Sequence, residues 1–196
     1  MDALRKTDLI SPAQYLAEEF DSTVKREYLG GVTYAMSGAN NRHNRIASSV
    51  LVALGSQLRG RRCEAFNSDA KVRIQLPTHV RFYYPDAMVV CSPNPEGDAY
   101  QDNPAVVIEV LSQGTRRTDE GEKRDAYLAI PSLKAYLMLE QDSPTVVAFL
   151  RGDQGFVRHV YEGLSATVEL TELDLQLPLA EVYERVQFDP ETDEDG

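Results

Sequence analysis

The run Ala105-Val-Val-Ile-Glu-Val-Leu111 sets the tightest limit on how this chain can fold. A strand with one wet face alternates apolar and polar residues, whereas a strand covered on both faces reads as an unbroken apolar run. The stretch therefore predicts a central strand with layers packed on both sides. Glu109 interrupts it. An ionised carboxylate taken out of water is costly unless it is paired or binds a metal, so Glu109 requires a partner. Asp86 is the natural candidate, because it opens the second apolar run, in Tyr83-Tyr-Pro-Asp-Ala-Met-Val-Val90. If the two strands are neighbours, the carboxylates meet at one end of a sheet. Like charges placed together raise a pKa or call for a cation. Mg²⁺ prefers oxygen ligands and often takes only one or two carboxylates, keeping waters for a substrate phosphate. The alternative is an ion pair between Glu109 and a nearby Arg or Lys.

The surrounding pattern predicts the other elements. Ser11-Pro12 reads as an N-cap followed by proline at the first helical position, opening a helix to about Phe20. Strands are expected over 25–29 and 32–36, joined at Gly30-Gly31. Ile46, Ala47, Val50, Leu51, Leu54 and Leu58 form one stripe at helical spacing, which predicts a long helix over about 41–59. Strands are expected over 63–76 and 81–91, a loop over 92–104, the apolar strand, a helix over about 118–130 and a strand over 133–139. Two further strands, 145–151 and 156–162, precede a closing helix from about Leu179. From residue 41 to 140 the order is helix, three strands, helix, strand. Strand–helix–strand units make parallel pairs, and the preceding strands can meander antiparallel. The expected fold class is α/β (α+β), with a mixed central sheet flanked by helices, an N-terminal hairpin and C-terminal strands. One domain is expected over residues 1–188, followed by a disordered acidic tail at 189–196.

Composition excludes several functions. The formal charge is −11, and the tail holds five of the 31 acidic residues. A chain this acidic meets nucleic acid only through a local basic patch or a bound cation. No apolar run approaches the roughly 18 residues of a membrane span, and the first residues lack the apolar segment of a secretory signal. Cys63 and Cys91 lack metal-ligand spacing and read as reduced, buried thiols in a cytoplasmic protein. No zinc site, GxSxG, HExxH or phosphate-binding glycine loop is present.

YYPDAMVV, a gap of 23 residues from Asp86 to Glu109, and VVIEVLS resemble the PD…E core of the PD-(D/E)XK nuclease superfamily. More narrowly, REYLGGVTYAMSGANNRHNRI, NSDAKVRI, YYPDAMVVC, NPAVVIEVLS and DEGEKRDAYLAIPSLKAYLML resemble a bacterial family of Uma-type restriction endonucleases. The resemblance spans about residues 27–162. It implies a restriction endonuclease-like core, a Mg²⁺- or Mn²⁺-dependent endonuclease acting on nucleic acid, expected to be DNA, and metal ligation by Asp86 and Glu109. The superfamily places a lysine two residues after the glutamate. Here that position is Leu111, and the resembled family has a downstream lysine that matches Lys123. Lys71 is the rival.

The resemblance also gives site roles to Glu27 and His43, while Tyr127, one turn beyond Lys123, either orients that lysine or packs. Read on the residues alone, Glu27 is a surface residue and His43 part of the long helix's apolar stripe. On the same footing, Asp119 and Lys123 form an i,i+4 surface pair worth a few tenths of a kcal/mol. Arg42, Arg45, Arg59, Arg61, Arg62, Arg116 and Arg117 are candidates for phosphate contact. A homodimer is expected, with the C-terminal hairpin or closing helix as its contact. The competing function is a catalytically silent nuclease-like binding module in a defence or mobile-element system.

Overall fold

The computed structural model describes residues 9–188; the expected acidic tail lies outside them. Helix α1 (Pro12–Phe20) is capped as expected, Ser11 accepting a hydrogen bond from the Gln14 amide at 3.1 Å. The β1 (Arg26–Leu29)–β2 (Val32–Ala35) hairpin turns at Gly30 and Gly31, whose φ values of +59° and +112° are the left-handed values such a tight turn requires. Helix α2 spans Asn41–Gln57 and buries Ile46, Val50, Ala53 and Leu54.

The long strands expected over 63–76 and 81–91 are each broken in two. β3 (Glu64–Asn67) and β4 (Lys71–Gln75) are separated by a turn in which the Asn67 side chain accepts from the Asp69 amide at 3.1 Å. Asparagine side chains stabilise such turns by mimicking backbone. β5 (Val80–Tyr83) and β6 (Ala87–Val90) are separated by Tyr84-Pro85-Asp86, where proline has no N–H to give a ladder. The chain uses both breaks to change sheets. β4 and β5 join a five-stranded sheet ordered β2-β1-β5-β4-β7, with β7 (Tyr100–Gln101) emerging inside the expected loop.

β3 and β6 belong to the six-stranded sheet, ordered β11-β10-β9-β8-β6-β3. Its other members are β8 (Pro104–Val110), β9 (Ala135–Leu139), β10 (Thr145–Gly152) and β11 (Gly155–Glu162). β3, β6 and β8 run antiparallel in succession, while β8 and β9 are parallel, as the strand–helix–strand pattern requires. The mixed, helix-flanked sheet expected from the sequence is therefore present. The crossover between β8 and β9 is a helix of three parts: α3 (Arg116–Thr118), a π-helical turn (Asp119–Lys123) and α4 (Arg124–Leu128). A hairpin of β12 (Thr167–Leu170) and β13 (Leu175–Pro178), unpredicted, and the short helix α5 (Leu179–Val182) complete the described chain.

Alternation along β8 explains its apolar run. Val106, Ile108 and Val110 pack into a core with Ile46, Val50 and Leu54 of α2. Val107 and Leu111 point the other way, into a second core with Ala126 and Tyr127 of α4. Both faces are covered, and Glu109 lies on the α4 side.

The cysteine reading is corrected. Cys63 and Cys91 form a disulfide. Antiparallel pairing of Glu64 with Val90 makes Cys63 and Cys91 the next cross-strand neighbours, a proximity invisible in residues 28 positions apart. Among the described residues no helix is long and apolar enough to cross a membrane.

Candidate active site

The pairing of Ala87 with Ile108 brings Asp86 beside the end of β8. Pro85 leaves Asp86 just outside the ladder, so its carboxylate, rather than its backbone, meets the neighbouring strand. Asp86 Oδ2 accepts the Val110 amide at 2.7 Å and lies 3.2 Å from Nε2 of His43, in the first turn of α2. Asn40 caps that helix through the His43 amide at 2.8 Å, which fixes where the imidazole starts. Burial alone would lower the His43 pKa; the hydrogen bond and charge of Asp86 outweigh it and leave the value raised.

Glu109 is 4% exposed. Its Oε1 accepts the Tyr127 hydroxyl at 3.0 Å and lies 3.6 Å from Lys123 Nζ. Lys123 is equally buried and gathers two more acids: Glu27 Oε1 at 2.7 Å and Asp119 Oδ1 at 3.4 Å. Burial lifts the pKa values of Glu109, Glu27 and Asp119 despite the lysine's pull. Burial pushes the Lys123 pKa down, and the three carboxylates more than reverse that, so the ammonium stays charged.

The π turn explains how Asp119 and Lys123 reach this place. A π-helical turn carries more residues than an α turn and is frequent at functional sites. Here the carbonyl of Asp119 accepts the Tyr136 hydroxyl at 3.0 Å. Asp119 is 2% exposed, and its Oδ1 has no hydrogen-bond partner. The surface pair expected at these positions is thus a buried one. Asp119 is the site residue that sequence reasoning missed; the available signal was its i,i+4 relation to Lys123.

The structure therefore brings together Glu27, His43, Asp86, Glu109 and Lys123, with Tyr127 behind them. Lys71 is set apart: its ammonium lies 4.8 Å over the Tyr84 ring and makes no ion pair among the described residues. A cleft of about 540 Å³ opens over the group, lined by His43, Asp86, Glu109, Asp119 and Lys123, with Lys25 at its side. Several candidate phosphate-binding arginines are tied to the protein instead. Arg42 pairs with Asp142, Arg61 with Asp174, and Arg116 with Glu120 and Glu140. Arg45 donates to the Arg185 carbonyl and Arg62 to Ser92.

Four carboxylates against one lysine and one histidine leave at least two negative charges unmatched when all are ionised. Among the described residues no three His, Cys, Asp or Glu side chains stand placed to hold a metal ion together. Asp86 and Glu109 still suit a hard divalent cation. Each has an oxygen, Oδ1 and Oε2, that takes part in none of the protein hydrogen bonds of the described residues, and Mg²⁺ accepts two carboxylates with waters completing its shell.

Residues 12–180 match the family described as "Uma2: Putative restriction endonuclease". Two uncharacterized proteins of Synechocystis sp. are similar along nearly their whole length. One, slr1290, is 30% identical over 91% of this chain and 94% of its own; the other, sll1609, is 29% identical over 87% and 98%. A crystal structure from Anabaena variabilis, titled a putative nuclease belonging to DUF820, superposes with a TM-score of 0.68. It is 18% identical and covers 85% of this chain and 93% of that one, a likeness of fold. The chain belongs to the Uma2 family and has a restriction endonuclease-like fold.

Proposed function

We propose that the cleft hydrolyses phosphodiester bonds in DNA with the help of Mg²⁺ or Mn²⁺. One observation carries the reading: a buried, over-acidic cluster around a single charged lysine, at the strand end where a nuclease-like sheet opens to solvent. Asp86 and Glu109 would hold the cation. A divalent ion there supplies a bound water of lowered pKa and neutralises charge on a nonbridging phosphate oxygen.

The chain's own groups do the rest. The Val110 amide and His43 fix the Asp86 carboxylate, leaving its second oxygen free to ligate. Tyr127 does the same for Glu109. Glu27 and Asp119 hold Lys123 protonated and aimed at the cleft, where its ammonium stabilises negative charge developing on the phosphate. His43 acts through its Nε2 contact with Asp86, the carboxylate that would hold the cation.

The test is plasmid nicking with Mg²⁺ or Mn²⁺, beside EDTA and a folded Glu109→Ala control. Metal-dependent nicking that the variant lacks supports the proposal. The pairing of most candidate arginines with protein groups favours a second reading, a silent nuclease-like binding module. Calorimetry with Mn²⁺ separates the two: a silent module gives no binding heat that Asp86→Ala abolishes.

A further inference from the structure

We propose that two copies of this chain pair through the open edge of β11, joining their six-stranded sheets into one. The inference is independent of the nuclease reading. It starts from backbone geometry. β10 and β11 are joined by the two-residue loop Asp153-Gln154, closed by the Gly152–Gly155 pair. In such a hairpin the closing pair is hydrogen-bonded, and bonded pairs alternate along the ladder. The odd-numbered residues of β11 therefore direct N–H and C=O toward β10. The bond from the Gly163 amide to the Pro144 carbonyl has the same parity. Phe156, Arg158, Val160 and Glu162 then point theirs outward, with no strand beyond β11 in the sheet among the described residues.

Of the usual guards, this edge carries only charge, at Arg158 and Glu162. Native edges are blunted by shortness, proline, lysine or a bulge. β11 is eight residues long, pairs with β10 without a register shift, and contains neither proline nor lysine. The opposite edge, β3, is four residues long. Val157 and Val160, on opposite faces of β11, are 54% and 43% exposed.

The strand is complementary to itself in one long register. A two-fold axis normal to the sheet pairs residues of equal parity, because each face must continue as the same face. Centring the axis on His159 sets Val157 opposite Tyr161 of the second copy, an aromatic–β-branched pair of the kind that stabilises sheets. Arg158 falls opposite Val160, with Glu162 and Arg158 of the second copy on its two diagonals, so the valine covers its stem and the acid meets its charge. Phe156 falls opposite Glu162. Centring on Arg158 instead would oppose two arginines, and centring on Val160 would leave Phe156 unpaired. The axis reverses strand direction, so the two clefts open at opposite ends of the joined sheet.

Sedimentation velocity on the full chain, in a dilution series, tests this. The wild type should sediment as a dimer that dissociates on dilution. Val160→Lys sets a lysine opposite Arg158 of the second copy and should raise the dissociation constant about tenfold. Val160→Pro removes an outward N–H without costing an internal bond and should act in the same direction. Val160→Glu should keep the dimer, and Arg158→Glu with Val160→Lys should restore it. A wild type that is monomeric throughout overturns the proposal. So does a dimer that Val160→Lys and Val160→Pro leave intact, or one that Val160→Glu abolishes. Val160 is a surface residue, and circular dichroism confirms that each variant is folded.

Discussion

Replacing Lys123 by methionine isolates the cation that the buried acids share. Methionine keeps most of the volume and removes only the charge. The ammonium is 5% exposed and lies 2.7, 3.4 and 3.6 Å from Glu27, Asp119 and Glu109. Removing one partner of a buried ion pair leaves uncompensated charge, at a cost of about 3–5 kcal/mol. For a domain of this size that corresponds to a fall in Tm of roughly 6–20 °C. The cost should depend on pH. Burial raises the pKa values of Glu27 and Asp119 above their ordinary values and that of Glu109 well above its own. A raised folded pKa means that the folded state holds its protons more tightly than the unfolded chain, so stability from these acids grows as pH falls and is lost as pH rises through the folded values. Without Lys123 those values rise further. Lys123→Met should therefore be weakest at alkaline pH and recover most of its deficit near pH 5. Urea melts followed by far-UV circular dichroism, in EDTA, measure this at both pH values; the chain has no tryptophan to report on unfolding. Adding Glu109→Gln should return part of the loss. A single variant as stable as wild type at pH 8 would refute the reasoning, because the acids would then be screened by something other than Lys123.

Other perturbations test other parts. Mn²⁺ should raise the Tm of the wild type by preferential binding to the folded state, and Asp86→Ala should remove that shift in differential scanning fluorimetry. His43 has a raised pKa, so its charged pair with Asp86 stabilises the fold below about pH 6.5 and is lost as pH rises through the folded value. In EDTA the stability gap between wild type and His43→Gln should accordingly narrow from pH 6 to pH 9 in urea melts. The disulfide closes a loop between residues 28 positions apart, which on chain-entropy grounds contributes about 3–4 kcal/mol. Reduction with dithiothreitol should lower the urea midpoint by a matching amount, and Cys63→Ala with Cys91→Ala should reproduce it without reductant.

The parts of the fold legible in the sequence were those written in one continuous pattern. AVVIEVL announces its own burial on both faces, and the α2 stripe announces its inward side. That Glu109 needs a compensating partner was also legible, and the structure supplies the ion pair given as the alternative, with Lys123 3.6 Å from its Oε1. What was illegible depended on tertiary pairing. DAKVRIQL alternates well as a strand, but nothing in it says that the chain changes sheets at Asn67. Cys63 and Cys91 meet only because β3 lies beside β6. Asp119 and Lys123 fit a solvated helix pair as well as a buried one, and only the packing of the crossover helix over β8 decides between them. β12 and β13 are short strands that share the α2 core, and four-residue runs such as TVEL and LQLP carry too little period to read.

The lysine shows the same lesson in the site itself. Leu111 lies on the same face of β8 as Glu109, two residues on, and there the superfamily keeps its lysine. In this chain that side chain is 1% exposed and packs among Ala126, Tyr127 and Met138. A lysine stem at 111 would displace that core and leave a second ammonium to be compensated. The crossover helix offers another origin. Its π turn places Asp119 and Lys123 inward together, and Tyr127, one turn further, both packs in the same core and binds Glu109. One element thus fills the space over β8 and delivers the ammonium to the carboxylate. On the proposed reading, the chemistry requires a positive charge near Glu109 at the open end of the strand. The chain position that supplies it is free to move, provided the helix that carries it is locked against the sheet.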